Sequence, residues 1–240
     1  MISGIYSAAS GMVCQEKKTD VISQNIMGAA APGFKKTTPI FMPFDNVLRQ
    51  AQGAGGRGVK HVGDYVSHGA GEMRRTKQAL DFCIDGEGYF VVQTTSGPLY
   101  TRNGRFSLGP NGKLVSGRGF PVLGDRGEIF LPEGEAKADK KGNITVGGTS
   151  VGQLKIVRFD RKSDLTPVGG AYFRADSSAR PMPSEEAGVQ QGFIEMSNVS
   201  IFEEMTDMVY TMRCYETCQK MVAMQDDTLN KVINEVGNMA

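Results

Sequence analysis

The chain has 240 residues, a formal net charge of +1, 40% hydrophobic residues, 31 glycines, two histidines and no tryptophan. A charge so near zero supplies no general electrostatic pull toward nucleic acid or an anionic membrane, and the shortage of histidine removes much of the usual catalytic vocabulary. The length suits one domain, or a domain with a helical extension, and the glycine content points to many tight turns.

Residues from about Ile2 to Met27 read as a helix, because Ile5, Ala8, Met12, Ile22 and Ile26 recur at the spacing of one helical stripe. Ala8, Ala9, Ser10 and Gly11 permit close approach of a partner, while Gln15 and Thr19 interrupt the apolar line. Gly28 and then Pro32-Gly33 end the helix, since proline cannot continue the ladder and disfavours helix just before itself. Residues 1–33 are therefore expected to supply one half of a helical module. The segment lacks the charged n-region, apolar h-region and cleavage site of a secretory signal, and no apolar run in the chain approaches a membrane span.

Residues 34–78 read as an extended connector with a flexible, glycine-rich middle. Gly53, Gly55 and Gly58 fit the GxGxxG pattern that brings backbone amides to a pyrophosphate, but that chemistry needs a buried strand before it and a helix after it. The flanks, Arg49-Gln50-Ala51-Gln52 and Val59-Lys60-His61, offer neither, so the pattern is read as connector. His61, Asp64 and His68 have metal-ligand chemistry but no helical or strand period to converge them, so they are read as solvated side chains.

Across 79–174 the period changes to two. Short apolar runs such as Tyr89–Gln93, Leu99–Arg102 and Phe120–Leu123 alternate with Asn103-Gly104, Asn111-Gly112 and other turn signals. Asn-Gly suits the type I′ hairpin turn, which needs positive φ at both central residues, so an antiparallel barrel or sandwich is expected. Asp81, Asp85 and Glu87 miss a calcium-loop pattern because Cys83 stands where a ligand belongs, and Asp85-Gly86 is read as a turn. Gly148-Thr149-Ser150-Val151-Gly152 matches the GxSxG nucleophile elbow. An elbow joins strand to helix, whereas this one lies between two β-patterned runs, and a hairpin turn is expected instead.

Residues 175–195 read as a polar linker, and 196–240 as a second helix. From Ile201 to Val236 one line runs through Ile201, Met208, Tyr215, Val222, Leu229 and Val236, and a neighbouring line through Met205, Met212, Gln219, Asp226 and Ile233. That is a heptad seam on a helix roughly 54 Å long at about 1.5 Å per residue. A stripe so narrow and long needs partner helices. Gln219 and Asp226 interrupt it, and polar seam residues cost stability while fixing register and partner number. Ser200 with Glu203 forms a capping-box pattern at the helix start. The four cysteines show no metal-binding spacing, and Cys214 and Cys218 sit one turn apart, where a disulfide has poor geometry. The fold class is α+β: terminal helices forming a coiled-coil-like module around a central antiparallel all-β domain, with no metal or cofactor expected.

Three ordered motif blocks carry a resemblance. Ser7-Ala8-Ala9-Ser10-Gly11-Met12, Asp20-Val21-Ile22-Ser23-Gln24-Asn25-Ile26 and Pro32-Gly33-Phe34-Lys35 form the first. Leu80-Asp81, Ile84-Asp85-Gly86, Gly88-Tyr89-Phe90, Tyr100-Thr101-Arg102-Asn103-Gly104 and Gly119-Phe120-Pro121-Val122-Leu123-Gly124 form the second. Gly192-Phe193-Ile194-Glu195, Ser197-Asn198-Val199, Glu204-Met205, Arg213, Tyr215-Glu216, Lys220 and Asp226 form the third. In these blocks the chain resembles the flagellar basal-body rod and hook proteins. Its modest length and compact connector are most similar to a proximal-rod member, with a distal-rod member as runner-up.

The resemblance implies a structural subunit and not an enzyme. Its terminal helices would pair and pack against neighbouring copies and other rod subunits, forming the shaft that carries torque to the hook. The expected assembly interface includes Asn25 beside the seam residues of both helices. The resemblance also implies export through the flagellar type III system to the periplasmic rod without a cleaved signal. Phe44 and Leu48 resemble the hydrophobic motif that engages the export gate. No nucleic acid or membrane insertion is expected. The competing readings are a serine hydrolase at Ser150 and a secreted adhesin with a helical stalk.

Overall fold

The structure, a computed structural model, describes residues 2–43, 58–184 and 187–237. The chain divides into two compact units, one comprising residues 1–26, 37–67 and 200–240, the other residues 27–36 and 68–199. It is an α+β protein with a helix near each end and antiparallel strands between them.

The first unit holds most of helix α1 (Ile2–Ala29), strands β1 (Thr37–Pro43) and β2 (Val59–Val66), and helix α2 (Ile201–Gly237). In α1 the hydroxyls of Ser10, Thr19 and Ser23 donate back to carbonyls one turn earlier, which satisfies polar side chains without leaving the helix. At the start of α2 the Ser200 hydroxyl accepts from the Glu203 amide at 3.5 Å, and Glu203 and Glu204 place carboxylates at the positive end of the helix dipole. Strands β1 and β2 pair antiparallel from Thr37↔Val66 to Pro43↔Val59, with a register shift between Ile40 and Phe41. Where the sequence suggests an extended connector, the described residues thus form a hairpin. Its two strands leave only half their side chains inward, and Ile40, Met42, Val62 and Tyr65 stay exposed.

The second unit carries β3 (Met73–Arg75), β4 (Phe82–Asp85), β5 (Tyr89–Thr94), β6 (Gly97–Thr101), β7 (Phe106–Leu108), β8 (Leu114–Ser116), β9 (Leu123–Gly124) and β10 (Gly127–Glu128). After these come β11 (Ala136–Ala138), β12 (Asn143–Val146), β13 (Thr149–Gln153), β14 (Ile156–Arg158), β15 (Leu165–Pro167), β16 (Tyr172–Ala175), β17 (Met182–Pro183), β18 (Gly188–Gln191) and β19 (Phe193–Glu195). The largest sheet has the order β15-β16-β6-β5-β14-β17, β11-β12-β13 form a second, and β4–β18, β3–β19, β7–β8 and β9–β10 pair as ribbons. The stretch 175–195, expected as a linker, therefore returns strands to the domain, with β18 closing on β4 and β19 on β3.

Phe82, Phe90, Val92, Leu114, Val122 and Ile144 are fully buried in one cluster, and Phe106 meets Phe90 edge-on with centroids 5.2 Å apart. Each such side chain contributes about 1.5–3 kcal/mol of burial free energy. The turn signals divide in outcome. Asn111 and Gly112 both have positive φ and turn β7 into β8, as a type I′ step requires. Asn103-Gly104 is not a hairpin turn. A Cβ on Gly104 would stand 1.7 Å from the Phe82 carbonyl oxygen, so its glycine serves close backbone approach, and the Phe82 amide donates to the Gly104 carbonyl at 2.9 Å.

Candidate assembly surface

In the first unit the two helices meet along a line of seven-residue steps. Asn25 Nδ2 donates to Glu204 Oε2 at 2.9 Å. Lys18 Nζ lies 5.8 Å from the Tyr210 ring centroid. Cys218 Sγ stands 3.4 Å from where a Cβ on Gly11 would be, and the Gln225 amide lies against Gly4. Residues 4, 11, 18 and 25 thus ascend as their α2 contacts descend, so the helices run in opposite directions. The spacing keeps both contact lines on one face of each helix.

The chemistry of that line is polar or small. On α2 it holds Glu204, Thr211, Cys218 and Gln225; Glu204 is 1% exposed, and Thr211, whose hydroxyl donates to the Asp207 carbonyl, is 0% exposed. On α1 it is bounded by Asn25, 1% exposed, whose amide also donates to the Thr37 carbonyl at 2.8 Å while its oxygen accepts the Thr37 amide at 2.9 Å. Asn25 therefore ties α1 to the first residue of β1 and to α2 at once. The hairpin is tied to α1 a second time, where the Val59 amide donates to Ser10 Oγ at 3.2 Å.

Most of the large apolar residues of α2 point elsewhere. Phe202, Met205, Val209, Tyr210, Met212, Met221, Met224, Val232 and Ile233 are all exposed, Met205 by 52%, Met212 by 50% and Ile233 by 65%. Exposed apolar side chains in such number on one helix are the kind of surface that commonly marks an interaction site.

Of the seam positions read from sequence, Ala8, Ile22 and Asn25 are buried, and Ile5, Met12, Ile26, Met208, Val222 and Leu229 are half-buried. Tyr215 and Ile201 are more open, and the line Met205, Met212, Gln219, Asp226 and Ile233 faces away from the unit's interior. The side chain of Val236, and both Phe44 and Leu48, lie outside the described residues. The inward companions of Met208 and Val222 are Thr211, Cys218 and Gln225, which hydrophobic periodicity passes over because none is a large apolar residue. Their signal was the seven-residue spacing of 204, 211, 218 and 225, legible only once polar residues are admitted to a seam.

The other candidates disperse. Ser150 lies on β13, paired with Thr145 in a hairpin, with no strand-to-helix elbow. His61 Nε2 is 2.8 Å from Asp64 Oδ1, while His68 belongs to the second unit, its Nδ1 2.8 Å from the Tyr89 hydroxyl. Burial first, then Lys162, Lys35 and Arg102, lower the His68 pKa to about 4, so this imidazole is neutral at pH 7. Among the described residues no group of three His, Cys, Asp or Glu side chains is placed to hold a metal ion, and no helix is long and apolar enough to cross a membrane.

Comparison with known proteins adds a consistent set of relatives. Residues 83–152 match the family model described as flagellar hook protein FlgE/F/G D1 domain, and residues 190–235 the one described as flagellar basal body rod FlgEFG protein C-terminal. The chain is 31% identical to the flagellar basal-body rod protein FlgG of Bacillus subtilis over 268 aligned positions, covering 98% of this chain and 99% of that protein. It is 30% identical to the FlgF of Caulobacter vibrioides over 251 positions, covering 100% of both. The FlgF of Rhizobium meliloti is 29% identical over 241 positions, covering 99% of each.

Proposed function

Because this chain belongs to the flagellar basal-body rod protein family, we propose that it assembles through its terminal helices into the rod, as one of the stacked subunits that transmit torque to the hook. The observation that carries this is the outward face of α2. The helix is 37 residues long, about 55 Å at the usual rise. It spends its polar line on α1 and presents Met205, Val209, Met212 and Ile233 to water. A coiled-coil-like pairing with helices of neighbouring subunits would bury that face. Contacts of that kind that do not close into a ring generate a helical tube.

The near-gapless alignment of 241 positions to the FlgF of Rhizobium meliloti, against 268 for the FlgG of Bacillus subtilis, favours a FlgF-like place in the proximal rod. A FlgG-like distal place is the alternative. Export through the flagellar type III route to the periplasm, with Phe44 and Leu48 engaging the gate, completes the reading. The other chemistry once in contention, ester hydrolysis at Ser150, has no supporting arrangement in the β12–β13 hairpin.

The test is a Met205→Glu, Met212→Glu variant in cells that lack the native chain. Basal bodies without this subunit and loss of motility, with the variant's β-domain still folded, are expected. Rods of normal length and occupancy in electron micrographs contradict the assembly role of this face.

A further inference from the structure

The second unit begins with residues 27–36 and ends with residues approaching 199, and the two segments meet around a buried charge. Lys35 has a fully buried side chain, and its Nζ donates to Glu195 Oε1 and to the Gly69 carbonyl, the latter at 2.7 Å. Glu195, 3% exposed at its side chain, also accepts the Gly71 amide at 3.0 Å and has Arg102 Nη1 at 3.6 Å. Arg102 in turn donates to the carbonyls of Ile84 and Gly86 and stands over the Tyr89 ring.

Backbone bonds run through the same place. The Gly33 amide donates to the Glu195 carbonyl at 2.8 Å, Met196 to Glu72 at 2.8 Å, Thr76 to Gly192 at 2.8 Å, and the Lys36 amide to Asn198 Oδ1 at 2.7 Å. One carboxylate thus sits between two buried cations that are 67 positions apart in sequence. Burial lowers the Lys35 pKa while Glu195 opposes that shift. A buried ammonium with its counter-ion removed is far more costly than the intact pair is stabilising.

We propose that Lys35, Glu195 and Arg102 form a buried ionic latch that welds the segment entering the β-domain to the segment leaving it, so that both release together or not at all. The inference stands on the geometry of the second unit and does not depend on the assembly reading. Glu195 is its centre, because it neutralises both cations and its backbone carbonyl receives Gly33. The latch makes the attachment of the two chain ends a single cooperative event. Neither end peels from the domain alone.

Hydrogen exchange on the full chain tests this at the amides of Gly33, Gly71, Thr76 and Met196, with the β5–β6 amides as internal reference. In Glu195→Gln these four amides exchange faster by on the order of a hundredfold, and with one common protection factor once each is referred to its intrinsic rate. Lys35→Met leaves Glu195 paired with Arg102, so the chain stays folded if Glu195→Gln does not. It lowers the common protection factor by about tenfold. In the Lys35→Met, Glu195→Gln double variant one uncompensated cation is gone, and the rates return to within about tenfold of the parent. Unchanged protection in both single variants, four separate protection factors, or singles whose effects simply multiply in the double variant each overturn the proposal.

Discussion

Asn25 and Glu204 lie 179 residues apart in sequence and meet at 2.9 Å in a site where each is 1% exposed. The same asparagine closes two hydrogen bonds on the backbone of Thr37, so one side chain registers α1, α2 and the hairpin. The contacts of Gly11 with Cys218 and of Gly4 with Gln225 follow in whole heptads from that point, and Lys18 over Tyr210 lies beside the same line. It is the fixed end of the helical unit.

Asn25→Ala removes all three hydrogen bonds and leaves the Thr37 groups and a buried carboxylate short of a partner. A loss of about 2–4 kcal/mol from the helical unit is expected. Glu204→Gln keeps an acceptor and costs less than Glu204→Ala. Thermal melts followed at the helical circular-dichroism signal read both. Equal effects of the two Glu204 variants would show that the hydrogen bond accepted by residue 204 does not hold this end.

Gln219 and Asp226 face outward, on the line of Met205 and Met212. If they set the axial register of neighbouring subunits, Gln219→Leu with Asp226→Leu raises association while blurring symmetry. Image reconstruction of rods containing the variant measures this. Unaltered symmetry and subunit spacing remove the register role from these two residues.

The β-domain has its own pH signature in His68. Its folded pKa of about 4 lies below the ordinary 6.5, so the unfolded chain binds the proton first as pH falls. Stability from this group is complete above about pH 6.5, declines between there and about pH 4, and is flat below. The loss is on the order of 1–3 kcal/mol, reduced by the partial exposure of the ring. Denaturant midpoints taken across that window should fall in the parent and fall less in His68→Gln. Parallel pH profiles for the two proteins would contradict the assignment.

Gly104→Ala sets a Cβ 1.7 Å from the backbone oxygen of Phe82, which has no flexible end to yield. A cost of about 3 kcal/mol or more follows from a backbone collision in the core. Ala at Gly117, where a Cβ meets nothing within 4 Å, is the control. Comparable melting temperatures for the two variants would mean that β4 and residue 104 do not approach as described.

The outline of the fold was legible in the residues. Period two over 79–174 and the Asn111-Gly112 step identified antiparallel strands, and proline placement ended α1. Four things were not. The β1–β2 hairpin brackets a glycine-rich stretch, and its alternation is diluted by prolines 39 and 43, so it read as connector. Gly104 matched a turn dipeptide, but what fixed it was the distant Phe82 backbone. The inward line of α2 escaped because hydrophobic periodicity looks for large apolar residues, while this helix turns Glu204, Thr211, Cys218 and Gln225 toward α1 and leaves Met205, Met212, Met221 and Met224 exposed. Lys35 and Glu195 stood in the quoted motifs, yet 160 positions of sequence separated the pair.

The central claim is that the outward face of α2 is covered by neighbouring subunits. Cysteine introduced at Met205 or Met212, in a chain with Cys14, Cys83, Cys214 and Cys218 replaced by serine, reports on it through its rate of thiol alkylation. In the isolated chain both positions are open and should label as fast as a free thiol. In intact basal bodies that retain the rod, labelling should slow by at least about a hundredfold. Equal rates in the isolated chain and the basal body would contradict the account.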